Sequence, residues 1–575
     1  MDLPQLPNEK SALIIGVKGH HDLVDTEIPL IERKLEKWFS SLRDQYPSLQ
    51  LHVVCSLEEG TDRLIVKLAQ KLGIKVTVCL SVRKEIFEKK FDSPESLSEF
   101  RSLLSDVEYF YLPLLEDASL KREERSFDYE RKNREWGIWL SEHAHILLVL
   151  WDGSSSIKNG DVGQIVQYRL KKEISSLNAI KERSRIHFND SESDIVYHLR
   201  VSCESNNTSN RDDLHSGWIT SNQAEDPMDQ LPSEYDQILS LQERFSIDGL
   251  KVVQGPKLLA SHLYCSKHKS LINSEIGSIH DLFLTADILA QDYKSRFFMG
   301  LKLIYGFAIS AGISFIVYAD LEAQITMIYP YLAFLTLSFS LAWLVARKGW
   351  HQRYIQYRAL AEGLRIQFYL ALAGIRIFRP EKFLHNTYLR SQDMTLGWIR
   401  NILRTAGLKI NFSGHETSDA AINFVIERWV GDAKNGQAAY FKRKSLEVSK
   451  HLRLTRLVGK IAFLLGGLSA LALVFIQLDI NPLYRNLLIA SMGLLPLIAF
   501  FFDAYAQKKA DNELVSQYQN MNSIFSKASI KLKNAASKKE RQHILYSLGI
   551  AALEENTEWL LHLRDRPLKS DRSIF

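Results

Sequence analysis

Four long apolar runs in the second half of the chain constrain its fold more than any other feature. They cover roughly residues 298–318, 328–346, 461–478 and 487–502. A helix that crosses a bilayer needs about 20 apolar residues, and about 17 at the short end. Lys302 lies near the end of the first run, where its side chain can reach the interface, and the other runs carry no charge. We expect four transmembrane helices, with buried core helices of a soluble domain as the alternative.

Basic residues lie on the outer flanks of these runs. The segments DYKSRFF, RKGWHQR, KHLRLTRLVGK and QKK flank the two pairs of runs, whereas the turns within the pairs, ADLEAQ and DINPLYR, hold one basic residue in total. By the positive-inside rule, both termini and the segment between the pairs are cytoplasmic. Two short hairpin tips are then on the opposite side of the membrane.

Residues 1–200 alternate strand and helix signals. Continuous apolar runs of the kind found in buried parallel strands are SALIIGV, LHVVCSL, IKVTVCL, VEYFYLPL, HILLVLW and DIVYHLRVSC. Amphipathic segments such as TDRLIVKLAQKLG separate them. This alternation predicts a Rossmann-like, doubly wound α/β fold with a mostly parallel sheet on the cytosolic side. The rest of the chain is predicted to be an all-α membrane part.

These patterns divide the chain into five segments. We expect a Rossmann-like ligand-sensing domain, a polar loop without periodicity, a helical connector and two two-span hairpins with cytosolic helices; they cover residues 1–202, 203–235, 236–284, 285–400 and 401–575, respectively.

The composition limits the classes of binding partner that we expect. Lys and Arg number 72 and Asp and Glu 67, a net charge of +5 that is too balanced to indicate direct nucleic-acid binding. The four cysteines form no CxxC pair and no metal-ligand spacing, so we expect reduced core thiols and no metal. The N-terminal MDLPQLPNEK lacks the features of a signal peptide.

Three predicted strand ends carry glycine together with polar residues. Ligands of open α/β sheets bind beyond the carboxyl ends of the strands, so these segments outline one crevice. They are GVKGHH after the first strand, SLEEGTDR after the second and WDG after the fifth. Glycine lets a ligand approach the backbone, and the basic side chains can meet negative charge.

The motifs GVKGHHDL, SLEEGTDRL and LLVLWDG, in this order, resemble the SLOG superfamily over about residues 10–200. That Rossmann-like group is related to Lonely-guy proteins and DNA-processing protein A, and its members sense or process nucleotides and NAD-derived molecules. The resemblance implies a nucleotide or ADP-ribose-type ligand and no prosthetic group. The ligand-side residues that it implies are Gly16, Gly19, His20, Gly60, Asp62, Arg63, Asp152 and Gly153, with Lys18, Tyr129, Arg134 and Gly160 as further candidates.

The chain departs from the bacterial SLOG pattern at three places. His21 replaces an arginine, His145 replaces the aspartate before the WDG strand, and GDVG at 160–163 replaces GGTA. Part of the glycine-rich segment that would bind an anion is kept, and we expect the ligand selectivity to differ from that of the bacterial SLOG proteins.

The segment YRALAEGLRIQ, beside a two-span hairpin, is similar to the SLATT family of transmembrane effectors associated with nucleotide-sensing domains. Arg358, Glu362 and Arg365 lie on one helix face, which predicts either a salt-bridged solvated surface or a contact in an oligomer or to the sensor. The resemblance implies a homo-oligomeric effector in the bilayer of the bacterial inner membrane, one that permeabilises or depolarises the membrane in antiviral defence.

Two alternatives stay open. Lonely-guy enzymes cleave an N-glycosidic bond with a glutamate, but here GDVGQIVQY places Gln164 or Gln167 at that position, and a carboxamide is no general base. A carboxylate from elsewhere, such as Glu58, Glu59 or Glu130, would be needed. The second alternative is a nucleotide-gated ion channel, because melastatin-type channels carry a SLOG-like cytosolic domain.

Overall fold

The computed structural model describes most of the chain as two compact units. The described residues are 11–91, 93–112, 129–153, 162–171, 194–203, 214–221, 223–253, 262–264, 266–320, 325–375, 396–408, 417–432, 434–475 and 481–564. The sheet unit falls within residues 1–285 and 363–416, and the helical unit within residues 286–362 and 417–575.

Within the described residues, the sheet unit has eight strands in the order β4-β3-β2-β1-β5-β6-β7-β8. The strands are β1 Ala12–Gly19, β2 Gln50–Cys55, β3 Lys75–Leu80, β4 Glu108–Tyr111, β5 Ile146–Trp151, β6 Ile195–Arg200, β7 Ser216–Thr220 and β8 Gln223–Met228. Strands β1 to β6 pair in parallel, and β7 and β8 add an antiparallel edge. All six predicted strands are present, and the Rossmann-like fold class is confirmed.

Helices cover both faces of this sheet and continue into the second unit. They are α1 Ile28–Gln45, α2 Thr61–Lys71, α3 Lys84–Phe87, α4 Pro94–Ser105, α5 Tyr129–His143, α6 Val162–Lys171, α7 Ser233–Val253, α8 Ser274–Asp320, α9 Ile328–Lys348, α10 Trp350–Leu372, α11 Gly397–Gly407, α12 Asp419–Val425, α13 Gly436–Phe475, α14 Pro482–Lys509, α15 Asp511–Asn534 and α16 Lys538–Arg564. The division between the two units falls inside α8 and inside α10.

The central strands are apolar throughout because both of their faces are buried. In β1, Leu13, Ile15 and Val17 belong to the core on one face of the sheet, and Ile14 belongs to the core on the other face. Each of these four side chains is fully buried. A strand covered by helices on both sides has no solvated face to alternate with, which explains the continuous apolar runs in the sequence.

The structure divides residues 203–416 differently from the predicted segments. Part of the predicted loop 203–235 forms β7 and β8, which extend the sheet. The predicted connector 236–284 includes most of α7, which packs on the sheet: the Gln242 side chain donates to the Ala12 carbonyl oxygen at 2.9 Å. Residues 363–416, which we assigned to the hairpins, belong to the sheet unit.

A buried cluster of charged side chains lies at the amino ends of the strands. Asp194, just before β6, is fully buried and lies 3.3 Å from Arg169, 3.4 Å from Arg400 and 3.5 Å from Arg404. The two last arginines come from α11, which is encoded more than 200 residues after Asp194. Burial and the neighbouring Arg400 lower the pKa of Arg404 to about 9. We infer that Asp194 holds α11 on the sheet, because its carboxylate is an anion that all three buried cations share.

His145 reinforces the same contact as a neutral side chain. Its Nδ1 accepts a hydrogen bond from the Ile14 amide at 3.1 Å, which leaves Nε2–H to donate to the Asn401 carbonyl oxygen at 2.9 Å. Burial and the Arg404 charge hold the pKa of His145 well below its usual range. The imidazole therefore joins β1 to α11 without adding a further positive charge to the cluster.

The helical unit holds the predicted spans. Four helical stretches, Ser274–Ala319, Ile328–Leu372, Gly436–Phe475 and Pro482–Asn534, are long and apolar enough to cross a membrane. Only 6–22% of the most apolar window in each is buried within the chain. Such extensive exposed apolar surface is typical of a membrane protein. The predicted hairpin tips lie largely outside the described residues.

Small residues let the apolar helices pack closely, as their sequences indicate. A Cβ on Gly312 of α8 would approach Leu497 of α14 to 2.3 Å, and one on Gly466 of α13 would approach Pro496 of α14 to 2.7 Å. The Ser491 hydroxyl also donates to Ser469 at 2.8 Å across α13 and α14. Close backbone approach and interhelical hydrogen bonds are what stabilise helix pairs in lipid.

The charge cluster yields a stability prediction. Asp194→Asn should destabilise the sheet unit by about 3–5 kcal/mol, because it leaves three buried arginines without the carboxylate that they share. Hydrogen exchange of the full chain should show lost protection in β5, β6 and α11. Asp44→Asn, an equal charge change at an exposed position of α1, should leave exchange unchanged. Unchanged protection in Asp194→Asn would show that Asp194 does not hold α11.

Candidate functional site

The strand order places a topological switch point between β1 and β5. From β1 the chain adds β2, β3 and β4 on one side, and then returns to add β5 on the other side of β1. Adjacent connections leave in opposite directions at such a point and open a crevice outside the carboxyl ends of the strands. Lys18, Gly19 and His20 lie at the end of β1, and Asp152 and Gly153 follow β5.

His20 and Asp152 meet across this switch point. His20 Nε2 lies 3.3 Å from Asp152 Oδ1 and also 3.3 Å from the Asp152 amide nitrogen. The Arg200 side chain, at the end of β6, donates to the Asp152 carbonyl oxygen at 3.2 Å. The two predicted ligand-side residues are thus brought together, with a cation from the next strand beside them.

Lys18 is a buried cation at the same edge. Its ammonium lies 2.6 Å from Glu58 Oε2, after β2, and 5.0 Å from the ring centre of Trp136 on α5. The other Glu58 oxygen lies 2.9 Å from the ammonium of Lys90. Glu58 therefore occupies the place between two cations where the oxygens of an anionic ligand would be stabilised.

Three predicted glycines are required by the fold itself. A Cβ on Gly16 would approach Ala144 to 2.8 Å, and one on Gly19 would lie 2.4 Å from Thr61 Oγ1 and 2.8 Å from the Leu150 carbonyl oxygen. Gly60 has a φ of 72°, and its Cβ would meet the His21 carbonyl oxygen at 2.4 Å. These contacts are with the residue after α5, with α2 and β5, and with the segment after β1, so the three glycines need no ligand to explain them.

Asp62 uses its carboxylate on the chain's own turn. Asp62 Oδ2 accepts from the Ser56 amide at 3.0 Å, the Ser56 hydroxyl at 2.7 Å and the Glu58 amide at 3.3 Å. Burial raises the pKa of Asp62, and the Lys18 charge opposes that shift. These bonds stabilise a turn in which Leu57 has a φ of 62°, an uncommon conformation for leucine. Asp62 therefore stabilises the turn that borders the crevice.

Arg63 is directed to α4. Its Nη1 donates to Ser96 Oγ at 2.9 Å and to Glu99 Oε2 at 2.6 Å, and its guanidinium stacks 4.7 Å from the ring centre of Phe91. The side chain is buried. Asp62 and Arg63 do not pair with each other, and neither lies at the His20–Asp152 contact.

The structure gives less detail on the remaining predicted site residues. Gly153 follows Asp152 with a φ of 89°. Arg134 lies on α5, half-buried, two residues before Trp136. Tyr129 begins α5, but its side chain and Gly160 lie outside the described part of the chain.

Sequence reasoning missed four contributors to this edge of the sheet. Thr61 donates through its amide and its hydroxyl to the His20 carbonyl oxygen, at 3.1 Å and 2.8 Å, and so fastens α2 to β1. Trp136, Lys90 and Arg200 come from elements that carry no motif. Only their basic and aromatic character could have marked them, and residues of that character occur throughout the chain.

The YRALAEGLR segment forms a partly buried ion pair within the chain. Arg358 on α10 lies 3.2 Å from Asp287 on α8, also contacts Glu362, and Asp287 is 1% exposed. Arg365 stacks on Phe283 with 5.2 Å between its guanidinium carbon and the ring centre. The predicted salt bridge on α10 is present, and the same helix face also contacts α8 instead of facing solvent alone.

Comparison with known proteins gives no match: no family model, no curated protein and no solved structure is significantly similar to this chain. Its function is therefore inferred from the sequence motifs, the site and the apolar helices.

Proposed function

We propose that the chain is a membrane-embedded sensor–effector. The crevice at the β1–β5 switch point binds a nucleotide-derived or ADP-ribose-type ligand, and an oligomer of the apolar helices permeabilises or depolarises the membrane. The motif resemblance to SLOG sensors and SLATT effectors supports this proposal and its setting in bacterial antiviral defence.

The observation that carries the proposal is the His20–Asp152 contact at the switch point. A carboxylate, an imidazole and the cations Lys18 and Arg200 gather there at strand ends, where open α/β sheets bind ligands. Hydroxyl groups of a ribose suit Asp152, and phosphate oxygens suit the cations. A nucleotide carries both groups.

The apolar helices support the effector half. The four candidate spans among the described residues are too few to enclose a wide pore, so the permeabilising species is a homo-oligomer. The chain passes between the sheet unit and the helical unit three times, at residues 285–286, 362–363 and 416–417. A ligand that prefers one arrangement of the sheet unit can shift the whole chain by its differential affinity.

A binding measurement tests the sensor half. Lys18→Met removes a buried cation and leaves Glu58 to repel phosphate, so affinity for the best of a panel of nucleotides and ADP-ribose should fall by about 1.5–3 kcal/mol, roughly 10- to 150-fold. Calorimetry on the full chain in detergent measures it. Lys75→Met, the same charge change at the amino end of β3, should bind as the wild type does. Equal affinity in a folded Lys18→Met chain would place the ligand elsewhere.

Topology is tested by labelling. Single cysteines replacing Thr326 and Asn481, exposed residues beside the hairpin tips, should react with an impermeant maleimide in intact cells. Cysteines replacing Asp44 and Ser537 should react only after lysis, once the native thiols are removed. Labelling of position 537 from outside would contradict the cytoplasmic assignment of the C-terminal segment.

A further inference from the structure

A histidine, an aspartate and a cysteine converge beside the switch point. His20, Asp22 and Cys203 each offer one ligand atom, and these atoms all lie within 4.8 Å of one another. Cys203 is 1% exposed, and the side chains of His20 and Asp22 are 14% and 18% exposed. The group is therefore largely enclosed, with its imidazole and carboxylate reaching the solvent-accessible edge.

Backbone pairing holds the three residues in place. Leu23 forms an isolated antiparallel bridge with Cys203, which brings the segment after β1 against the segment after β6. The His20 amide donates to the Leu150 carbonyl oxygen at 3.1 Å, and the Ser202 amide donates to Glu27 at 2.9 Å. A metal would therefore meet ligands that are already positioned by the fold.

We propose that His20, Asp22 and Cys203 bind a zinc ion. A thiolate, an imidazole and a carboxylate suit zinc, whereas magnesium and calcium prefer oxygen ligands alone. Bond lengths of about 2.0–2.3 Å place tetrahedral ligand atoms about 3.3–3.8 Å apart, so each pair of ligand atoms needs to approach by about 1.5 Å at most. Three protein ligands leave a fourth position for water or for an oxygen of a ligand.

Asp152 completes the arrangement. His20 Nε2 lies 3.3 Å from both the carboxylate and the amide nitrogen of Asp152, so a metal on Nδ1 would leave Nε2–H to donate to that carboxylate. A carboxylate on the second nitrogen of a metal-binding histidine fixes the ring and makes it a better ligand. The spacing of the cysteines gave no sign of this site, because its ligands come from two segments about 180 residues apart.

Cobalt substitution tests the site without any nucleotide, so its outcome is separate from that of the proposed function. Full-length protein in detergent, stripped by a chelator and reduced, is titrated with Co²⁺ and then with Zn²⁺. The wild type should show a thiolate-to-cobalt charge-transfer band that saturates near one equivalent and is lost when Zn²⁺ displaces cobalt.

Matched variants locate the ligands. Cys203→Ser should abolish the band, and Cys79→Ser, at a buried cysteine of β3, should keep it. Asp22→Asn should weaken zinc binding at least about tenfold, and Asp152→Asn about 10- to 100-fold. Circular dichroism confirms that each variant folds, and Asp22→Asn decides the matter if Cys203→Ser does not. No band in the wild type, a band that survives in Cys203→Ser, or zinc affinity unchanged in Asp22→Asn would overturn the proposal.

Discussion

The carboxylate of Asp194 is the interaction on which the architecture of the sheet unit depends. It is the shared partner of Arg169, Arg400 and Arg404, and all four side chains are buried. Removing the anion from a buried cluster of this kind is costly, so the shared carboxylate couples α11 to the sheet. Because α11 follows the first two apolar helices in the sequence, the sheet unit is completed only after that part of the chain has been made. A fragment that ends before α8 would expose this cluster and lack part of its own fold.

The carboxyl ends of the strands, on the opposite side of the sheet, carry a second group of charged side chains. Some of these side chains bind to other parts of the fold. Asp62 accepts hydrogen bonds within the turn after β2, and Arg63 pairs with Glu99. His20, Asp152 and Arg200 remain near the surface of the crevice, and Glu58 is held between Lys18 and Lys90. An anionic ligand there would compete with Glu58 for two cations. That competition is a physical means by which binding could displace a loop and change the conformation of the unit.

The sequence was sufficient for the strands and the apolar helices because burial on both faces, or in lipid, leaves an unbroken apolar run. It was insufficient where contacts join distant segments. The edge strand β8 has the polar sequence QAEDPM, which carries no strand pattern. The place of α11 depends on Asp194 and His145, whose partners are far away in the chain. The motif residues Gly16, Gly19, Gly60 and Asp62 were predicted at the crevice, yet their contacts serve packing and turn geometry, which spacing alone does not distinguish from ligand binding.

The central claim is that occupancy of the crevice controls the membrane part, and dye release from liposomes containing the purified chain measures this directly. The ligand found by calorimetry should trigger dye release by the wild type and no release by Lys18→Met. Leu468→Arg, within the apolar run of α13, should bind ligand but release nothing, because an arginine at the centre of a span costs about 2.5–3.5 kcal/mol. Leu446→Arg, on the same helix before that run and equally exposed, should act like the wild type. Equal release by wild type and Lys18→Met, both correctly inserted, would show that the two units are not coupled.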